Sequence, residues 1–164
     1  MAGIDTSQLM RVYSESNLKD GMIRYPDLSS HWQQIRTEED FLSYLREDFF
    51  NRPMSLYAVW SLDGTYRAAL RVEPYLDGLL LESVETAPEY RRQGYAYILI
   101  SKMMEYLQKQ GIRYVYSHVH KQNFPSLKLH EKIGFSVVSD TAKYIDGTVT
   151  QNSFTLVYKL DNWQ

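Results

Sequence analysis

Apolar residues in the first third of the chain recur at helical spacing. In residues 6–17 they share one helical face, behind a Thr and a Ser that can cap the helix. Residues 37–50 repeat the pattern behind a cap at Thr37, with acidic residues in the first turn. The segment between them, 18–36, contains Pro26 and a polar run, so we expect a loop or an irregular helix there.

The apolar pattern then changes from helical spacing to strand-like segments. Three such segments, 55–60, 65–73 and 78–86, are separated by the dipeptides Asp63–Gly64 and Asp77–Gly78. Asp-Gly between alternating segments is the strongest short-range hairpin signal. This part of the chain is therefore predicted to form three antiparallel strands in a meander.

The second half alternates helical and extended patterns. The predicted elements are a helix over 95–110, a strand over 114–120, a short helix over 124–133, and strands over 135–140 and 152–160. The link from strand 78–86 through the helix to strand 114–120 has the length of a right-handed parallel crossover. We predict one α/β (α+β) domain over residues 1–164, with a mixed, mainly antiparallel sheet flanked by helices.

Composition restricts the classes of function. The chain has 164 residues, 44% of them hydrophobic, and no cysteine, which excludes disulfides, thiolate zinc sites and cysteine nucleophiles. A net charge of −2 argues against general nucleic-acid binding. No apolar run approaches the roughly 20 residues of a membrane span. We expect a cytoplasmic monomer or homodimer that binds neither nucleic acid nor membrane.

The helix predicted from residue 95 begins with an unusual charge. Arg91 and Arg92 precede Gly94, and the first turn holds no acidic residue. Each arginine adds to the positive end of the helix dipole, at a cost of about 0.3–1 kcal/mol when nothing compensates. A phosphate or pyrophosphate bound by the free N–H groups would reverse that sign. The alternative is an ordinary turn with solvated arginines; neither a P-loop nor a dinucleotide motif is present.

Residues 84–96 resemble the acetyl-CoA-binding motif of the GNAT family of N-acetyltransferases. That motif reads Gln/Arg-x-x-Gly-x-Gly/Ala between a strand and a helix, and Arg91, Gly94 and Ala96 fill its fixed positions. Residues 123–135 resemble the family's downstream motif: Asn, a small residue, then Leu-Tyr-x-Lys-x-Gly-Phe. The motifs have the usual order and separation.

The resemblance implies the GNAT acyl-CoA N-acyltransferase fold, whose sheet contains two splayed parallel strands. Acetyl-CoA would be the cosubstrate, and the enzyme would transfer its acetyl group to a primary amine of a small molecule, protein or peptide. Pantetheine would lie between strands 82–86 and 114–120, and the pyrophosphate on the amides of residues 92–96. The residues implied in acetyl-CoA binding are Val84, Thr86, Arg91, Arg92, Gln93, Gly94, Tyr95, Ala96, Asn123 and Ser126.

Direct attack on a thioester needs a neutral amine, so a general base is useful. Glu82 is the candidate, because strand alternation puts it on one face with Val84, among apolar neighbours that raise a carboxyl pKa. Glu85 would point the other way. Alternatively Glu82 pairs with Arg71 as a structural bridge, and Glu73, nearer a rim, is a further candidate.

The general acid departs from the family pattern. His130 stands where the resemblance expects a tyrosine that protonates the leaving thiolate. His130 takes this role, or another tyrosine does, or water does; the remaining alternative is a partly buried helix histidine. This departure keeps open a catalytically silent CoA-binding regulatory or interaction module. A nucleotide-binding protein using the same anion site is a third hypothesis.

His118 and His120 share a strand face, but no third ligand supports a metal site, so we expect none.

In this family the acceptor pocket would involve residues 18–53 and 141–151, which contain no motif. Candidate lining residues are Tyr25, His31, Trp32 and Tyr144, with Asp20, Asp27, Glu38 and Glu39 suited to a cation unless they are simply solvated.

Overall fold

Three helices precede the sheet in the computed structural model, which describes residues 3–160. They are α1 (Thr6–Val12), α2 (Ser14–Arg24) and α3 (Ser30–Glu47), followed by a 3-10 turn at Phe49–Asn51. The predicted single helix over 6–17 and the irregular segment over 18–36 are therefore wrong. Thr37 is no cap: it lies inside α3, where its hydroxyl donates to the carbonyl of Gln33 at 2.8 Å.

The rest of the chain forms the sheet and two more helices, α4 (Tyr95–Lys109) and α5 (Phe124–Ile133). The strands are β1 (Leu56–Leu62), β2 (Thr65–Tyr75), β3 (Gly78–Thr86), β4 (Tyr114–His120), β5 (Ser136–Ser139), β6 (Ala142–Lys143), β7 (Val149–Thr150) and β8 (Ser153–Lys159). The main sheet runs β1-β2-β3-β4-β8-β5, and β3 and β4 are parallel. The predicted mixed, mainly antiparallel α/β fold is confirmed.

Two apolar clusters hold the helices against opposite faces of the sheet. α4 buries Leu99, Ile100 and Leu107 against strands β2 to β4 on one face. α1 and α3 bury Leu9 and Leu45 on the other. Each such side chain contributes roughly 1.5–3 kcal/mol when fully buried. Within residues 3–160, no helix combines the length and hydropathy needed to cross a bilayer.

The parallel strands β3 and β4 separate after a short stretch. They pair from Leu79 with Val115 to Leu81 with Ser117, and no pair follows in the described sheet. The cause is a β-bulge: the register of β3 with β2 shifts at this point, and Ser83 has φ of 49°. A bulge bends its strand away from the partner. The splayed parallel strands expected from the sequence are thus produced by one extra residue.

The bulge also changes which side chains share a face. Glu85 lies opposite Ala69, which belongs to the cluster under α1 and α3, whereas Val84 packs into the cluster under α4. Glu82 lies on the side of Glu85. The expectation that Glu82 shares a face with Val84 is wrong, because Ser83 interrupts the alternation on which it was based.

Candidate active site

The N-terminus of α4 is open to solvent and uncapped. Gly94 occupies the cap position with φ of 85°, no side chain caps the helix, and its first turn holds no acidic residue. A Cβ placed on Gly94 would meet nothing within 4 Å. Arg91 and Arg92 are exposed beside it. Free N–H groups and two exposed arginines thus lie together at this helix start, an arrangement that suits an anion.

A cleft of about 740 Å³ extends from this helix start to the end of β3 and the start of α5; we call it the α4 cleft. Nine of the ten residues predicted to bind acetyl-CoA line it, and Gln93 does not. The nine are Val84, Thr86, Arg91, Arg92, Gly94, Tyr95, Ala96, Asn123 and Ser126. Sequence reasoning missed the contribution of Glu15, Ser16 and Lys19, because it did not predict α2.

Arg91 is paired in this structure. Its Nη1 donates to Oε2 of Glu15 at 2.5 Å, and Lys19 lies 2.8 Å from the other oxygen of the same carboxylate. Hydrogen bonds from Lys19 and Arg91 lower the pKa of Glu15. Arg91 thus has a carboxylate partner from α2 in this structure.

His130 lies in the last turn of α5, and both of its ring nitrogens have contacts. Nδ1 lies 2.8 Å from the carbonyl of Ser126 and Nε2 lies 2.9 Å from Oγ of Ser117. A carbonyl only accepts, so Nδ1 carries the proton and Nε2 accepts from the Ser117 hydroxyl. Burial lowers the pKa of His130, and its side chain reaches the cleft only through Ser126, which lines it.

Glu82 lies in a cluster of alternating charges. Its Oε2 accepts from Nε of Arg71 at 3.1 Å, and Glu73 beside it accepts from Nη1 of Arg52 at 3.1 Å. Burial, opposed by the Arg71 charge and reinforced by Glu73, raises the pKa of Glu82 to about 7. Glu73 is 3% exposed rather than near a rim. Glu82 is not among the described residues that line the α4 cleft.

A second cavity of about 460 Å³ lies under α2 and α3; we call it the α2–α3 cavity. Asp20, Asp40, Arg71 and Tyr44 line it, and it shares Glu85 and Ser16 with the α4 cleft. Of the predicted acceptor residues, Asp20 lines this cavity. The others do not: Tyr25, Asp27, His31, Trp32, Glu38, Glu39 and Tyr144.

His118 lies apart from both cavities. Its ring packs edge-on against Tyr75 and Tyr144, at centroid distances of 5.4 and 5.0 Å. Both ring nitrogens are buried without a hydrogen-bond partner in the described structure, and burial lowers the pKa of the ring. Among residues 3–160, no group of three or more His, Asp or Glu side chains is placed to hold a metal ion.

Comparisons with known proteins agree on one family. The model of the acetyltransferase (GNAT) family matches residues 23–135. The chain is 30% identical to the aminoglycoside N(6')-acetyltransferase type 1 of Serratia marcescens, covering 64% of this chain and 83% of that protein. It is 24% identical to the ribosomal protein bS18-alanine N-acetyltransferase of Escherichia coli K12, and the match covers 68% of this chain and 72% of that protein.

Solved structures agree on the fold. The paia N-acetyltransferase of Thermoplasma acidophilum, in complex with coenzyme A, superposes with a TM-score of 0.66 at 19% identity. The superposition covers 94% of this chain and 92% of that one. At this identity the likeness shows a shared fold.

Proposed function

Since the chain belongs to the acetyltransferase (GNAT) family and is an acetyl-CoA-dependent N-acetyltransferase, we propose that its acceptor is a small-molecule primary amine bound in the α2–α3 cavity. The observation that carries this proposal is the junction at Glu85 and Ser16, which border both the α4 cleft and this cavity. A cavity of about 460 Å³ has the size of a small-molecule site.

The residues that line the α4 cleft support the binding of acetyl-CoA there. The pyrophosphate lies on the free amides of residues 92–96, with Arg91 and Arg92 beside it. Pantetheine lies in the gap between β3 and β4, where the backbone at Val84 and Thr86 lacks a partner on β4. Asn123 and Ser126 line the other side, while Gln93 remains a weaker candidate because it lies outside the cleft.

The reaction is direct attack of the amine nitrogen on the thioester carbonyl carbon. The ammonium first gives one proton to a base, and the C–N bond then forms as the C–S bond breaks. The nitrogen loses its second proton as the CoA thiolate takes one up, so that CoA leaves as the thiol. We assign the base to Glu82, supported by a pKa raised to about 7 and by the face of β3 that it shares with Glu85. Because Glu82 lines neither the α4 cleft nor the α2–α3 cavity, we propose that the proton reaches it through water.

The developing oxyanion is assigned to the backbone N–H of Val84, which lies next to the bulge. His130 stays a proposed acid. Oγ of Ser126 lies 3.4 Å from its Nδ1 and Ser126 lines the cleft, which supports a proton path through this hydroxyl rather than direct contact with sulfur. A cytoplasmic location, the absence of nucleic-acid partners and a monomeric or homodimeric state stay predictions from the sequence.

The first test is calorimetric titration with acetyl-CoA, with CoA and ATP as controls, followed by release of free CoA with a panel of small amines and N-terminal peptides. Micromolar binding of acetyl-CoA without ATP binding, and turnover of small amines, supports the proposal. Binding of acetyl-CoA without turnover of any amine favours the silent CoA-binding module. Turnover of peptides alone contradicts the small-molecule acceptor.

A further inference from the structure

We propose that Glu73 positions and tunes the base: its carboxyl group and that of Glu82 share one proton, and Arg52 keeps this proton on Glu82. The inference rests on the proposed function, because it says how the base of that reaction is held. Glu73 is a positioning residue in this role, since it acts through Glu82 and lines neither the α4 cleft nor the α2–α3 cavity.

The two glutamates lie side by side on one face of the sheet. Arg71 of β2 is paired with Glu82 of β3, and Glu73 lies two residues further along β2. Residues two apart on a strand point to the same side, so Arg71 and Glu73 are both cross-strand neighbours of Glu82. Glu73 is buried there and is hydrogen-bonded to Glu82.

A hydrogen bond between two carboxyl groups requires a proton. An ionised carboxylate only accepts, so one of the two glutamates carries an O–H group that donates to the other. Arg52 donates to Oε2 of Glu73, and Arg71 donates to Oε2 of Glu82, both at 3.1 Å. Burial raises the pKa of Glu82, and the charge and hydrogen bond of Glu73 add to this effect against that of Arg71. The proton therefore lies on Glu82, and Glu73 is the acceptor.

Arg52 is held in place by a second carboxylate. Its Nε and Nη2 donate to Asp48, at 3.0 and 2.8 Å, which leaves Nη1 for Glu73. An arginine bound in this way keeps a fixed positive charge against the Glu73 carboxylate. The negative charge of Glu73 then lies next to Glu82, and a neighbouring like charge makes a carboxylate a stronger base.

The remaining ionisable groups on the elements around Glu82 are Tyr44 of α3, Tyr57 of β1, His118 of β4 and Glu85 of β3. Burial raises the pKa of the two tyrosines and lowers that of the histidine, so all three are neutral near pH 7. The hydrogen bond of Glu85 goes to Ser16 rather than to Glu82. Among the residues that the structure describes, Glu73 is thus the carboxylate in contact with Glu82.

The shared proton suits the first step of the reaction. An ammonium of pKa near 10.4 gives its proton only reluctantly to a carboxylate of ordinary pKa, about 4.3. A base with a pKa of about 7 is still deprotonated in roughly half of the molecules at neutral pH, and it holds the proton more firmly once it has taken it. Glu73 therefore improves proton transfer without touching the acceptor.

The experiment measures kcat/KM against pH for two variants that are expected to act in opposite directions. Glu73→Gln removes the negative neighbour, so the fall in kcat/KM at low pH should move down by about one pH unit or more. Arg52→Gln leaves Glu73 without its cation, so the pair holds its proton more tightly and the same fall should move to higher pH. Glu47→Gln, which removes an exposed carboxylate from the end of α3, should keep the profile of the wild type.

Opposite shifts in the two variants support the inference, because a purely structural role would lower activity or stability without them. An unmoved fall in a folded Glu73→Gln variant overturns the inference, and so does a shift of both variants in the same direction.

NMR of the glutamate carboxyl carbons, in the protein without acceptor, gives an independent readout. The Glu82 signal, assigned by its loss in Glu82→Gln, should titrate near pH 7 in the wild type and at lower pH in Glu73→Gln. A wild-type signal that titrates near the ordinary value of about 4.3 overturns the inference even if a variant fails to fold. A titration near pH 7 that shifts in Glu73→Gln, together with a flat profile of kcat/KM, supports the shared proton, while the base assigned in the proposed function fails alone.

Discussion

The hydroxyl of Tyr13 donates a hydrogen bond to the backbone carbonyl of Ser83 at 2.6 Å. Tyr13 lies at the break between α1 and α2 and accepts in turn from the hydroxyl of Tyr57 at 2.7 Å. Burial raises the pKa of Tyr13, so its hydroxyl stays protonated and can donate. The Ser83 carbonyl and the Val84 N–H belong to one planar peptide group. Tyr13 therefore fixes the direction of the N–H that we assign to the oxyanion.

Tyr13→Phe is expected to lower kcat by about tenfold, because a loosened peptide group holds the oxyanion less well. The Kd for acetyl-CoA, measured by calorimetry, should stay the same. The free energy of unfolding should fall by about 1 kcal/mol. Tyr57→Phe is the matched control, since it leaves the Tyr13–Ser83 bond in place. An unchanged kcat in a destabilised Tyr13→Phe variant would reduce Tyr13 to a structural role.

Gly94→Val is expected to weaken acetyl-CoA binding by about a hundredfold or more, because a branched side chain occupies the approach of the pyrophosphate. Position 94 also has φ of 85°, which strains any side chain. Gly64→Val controls for that strain: Gly64 has φ of 73°, lies in the β1–β2 turn, and also has no neighbour within 4 Å. Comparable acetyl-CoA affinity in the two folded variants would remove the α4 start from the binding site.

Glu82→Gln is expected to lower kcat by about a hundredfold and to change the pH profile. The base acts deprotonated, and its pKa is raised to about 7, so kcat/KM should fall as the pH drops below that value and level off above it. The Glu82→Gln variant should lack this fall in kcat/KM at low pH. Glu47→Gln, an exposed position at the end of α3, is the control. A wild-type profile that is flat across pH 7 would exclude Glu82 as the base.

Glu15→Gln is expected to tighten acetyl-CoA binding by about two- to fivefold, the range of an exposed ion pair. In the wild type, the Glu15 carboxylate competes with the pyrophosphate for Arg91. The gain should shrink in high salt, which screens both interactions. Glu89→Gln offers the comparison, since Glu89 pairs with Arg11 rather than with Arg91. Weaker binding in Glu15→Gln would show that Glu15 positions Arg91 instead of competing for it.

His118→Phe is expected to stabilise the protein above about pH 7, because it keeps the ring contacts and removes two buried nitrogens that lack partners. Burial lowers the pKa of His118 below its unfolded value, so the unfolded state binds the extra proton. Wild-type stability should therefore fall as the pH drops below about 6.5. The measurement is the free energy of unfolding by urea across this pH range. Its slope against pH should be smaller for His118→Phe than for the wild type. The exposed control His31→Phe should keep the slope of the wild type.

The strands, their turns and the α4 start could be read from local patterns, because alternation and Asp-Gly turns act over short distances. Helix α2 could not, since Pro26 and the polar run in residues 18–36 favoured a loop or an irregular helix. In the structure Gly21 allows close packing: a Cβ there would lie 2.7 Å from the carbonyl oxygen of Gln33 in α3. The need for a residue without a side chain at position 21 comes from the contact between two helices, so no local sequence pattern predicts it.

The face of Glu82 was mispredicted for a related reason. The bulge at Ser83 has no glycine to mark it, and it is held by Tyr13 from a distant part of the chain. The two carboxylates brought together on one face of β3, Glu82 and Glu85, therefore emerge only when α1 and β3 are packed together. By contrast, the residues of the α4 cleft could be found from the sequence, because one strand–turn–helix unit and the start of α5 supply most of them.

We expect the short parallel pairing between β3 and β4 to influence how long the enzyme persists in a cell. Three residue pairs join the two halves of the sheet, so a ligand lying in the gap adds contacts to both halves. A ligand present at a hundred times its Kd stabilises the folded state by about 2.7 kcal/mol. Proteases remove proteins through their unfolded forms. The abundance of this enzyme is therefore expected to follow the supply of acetyl-CoA, so that cells short of the acetyl donor also lose the catalyst that consumes it.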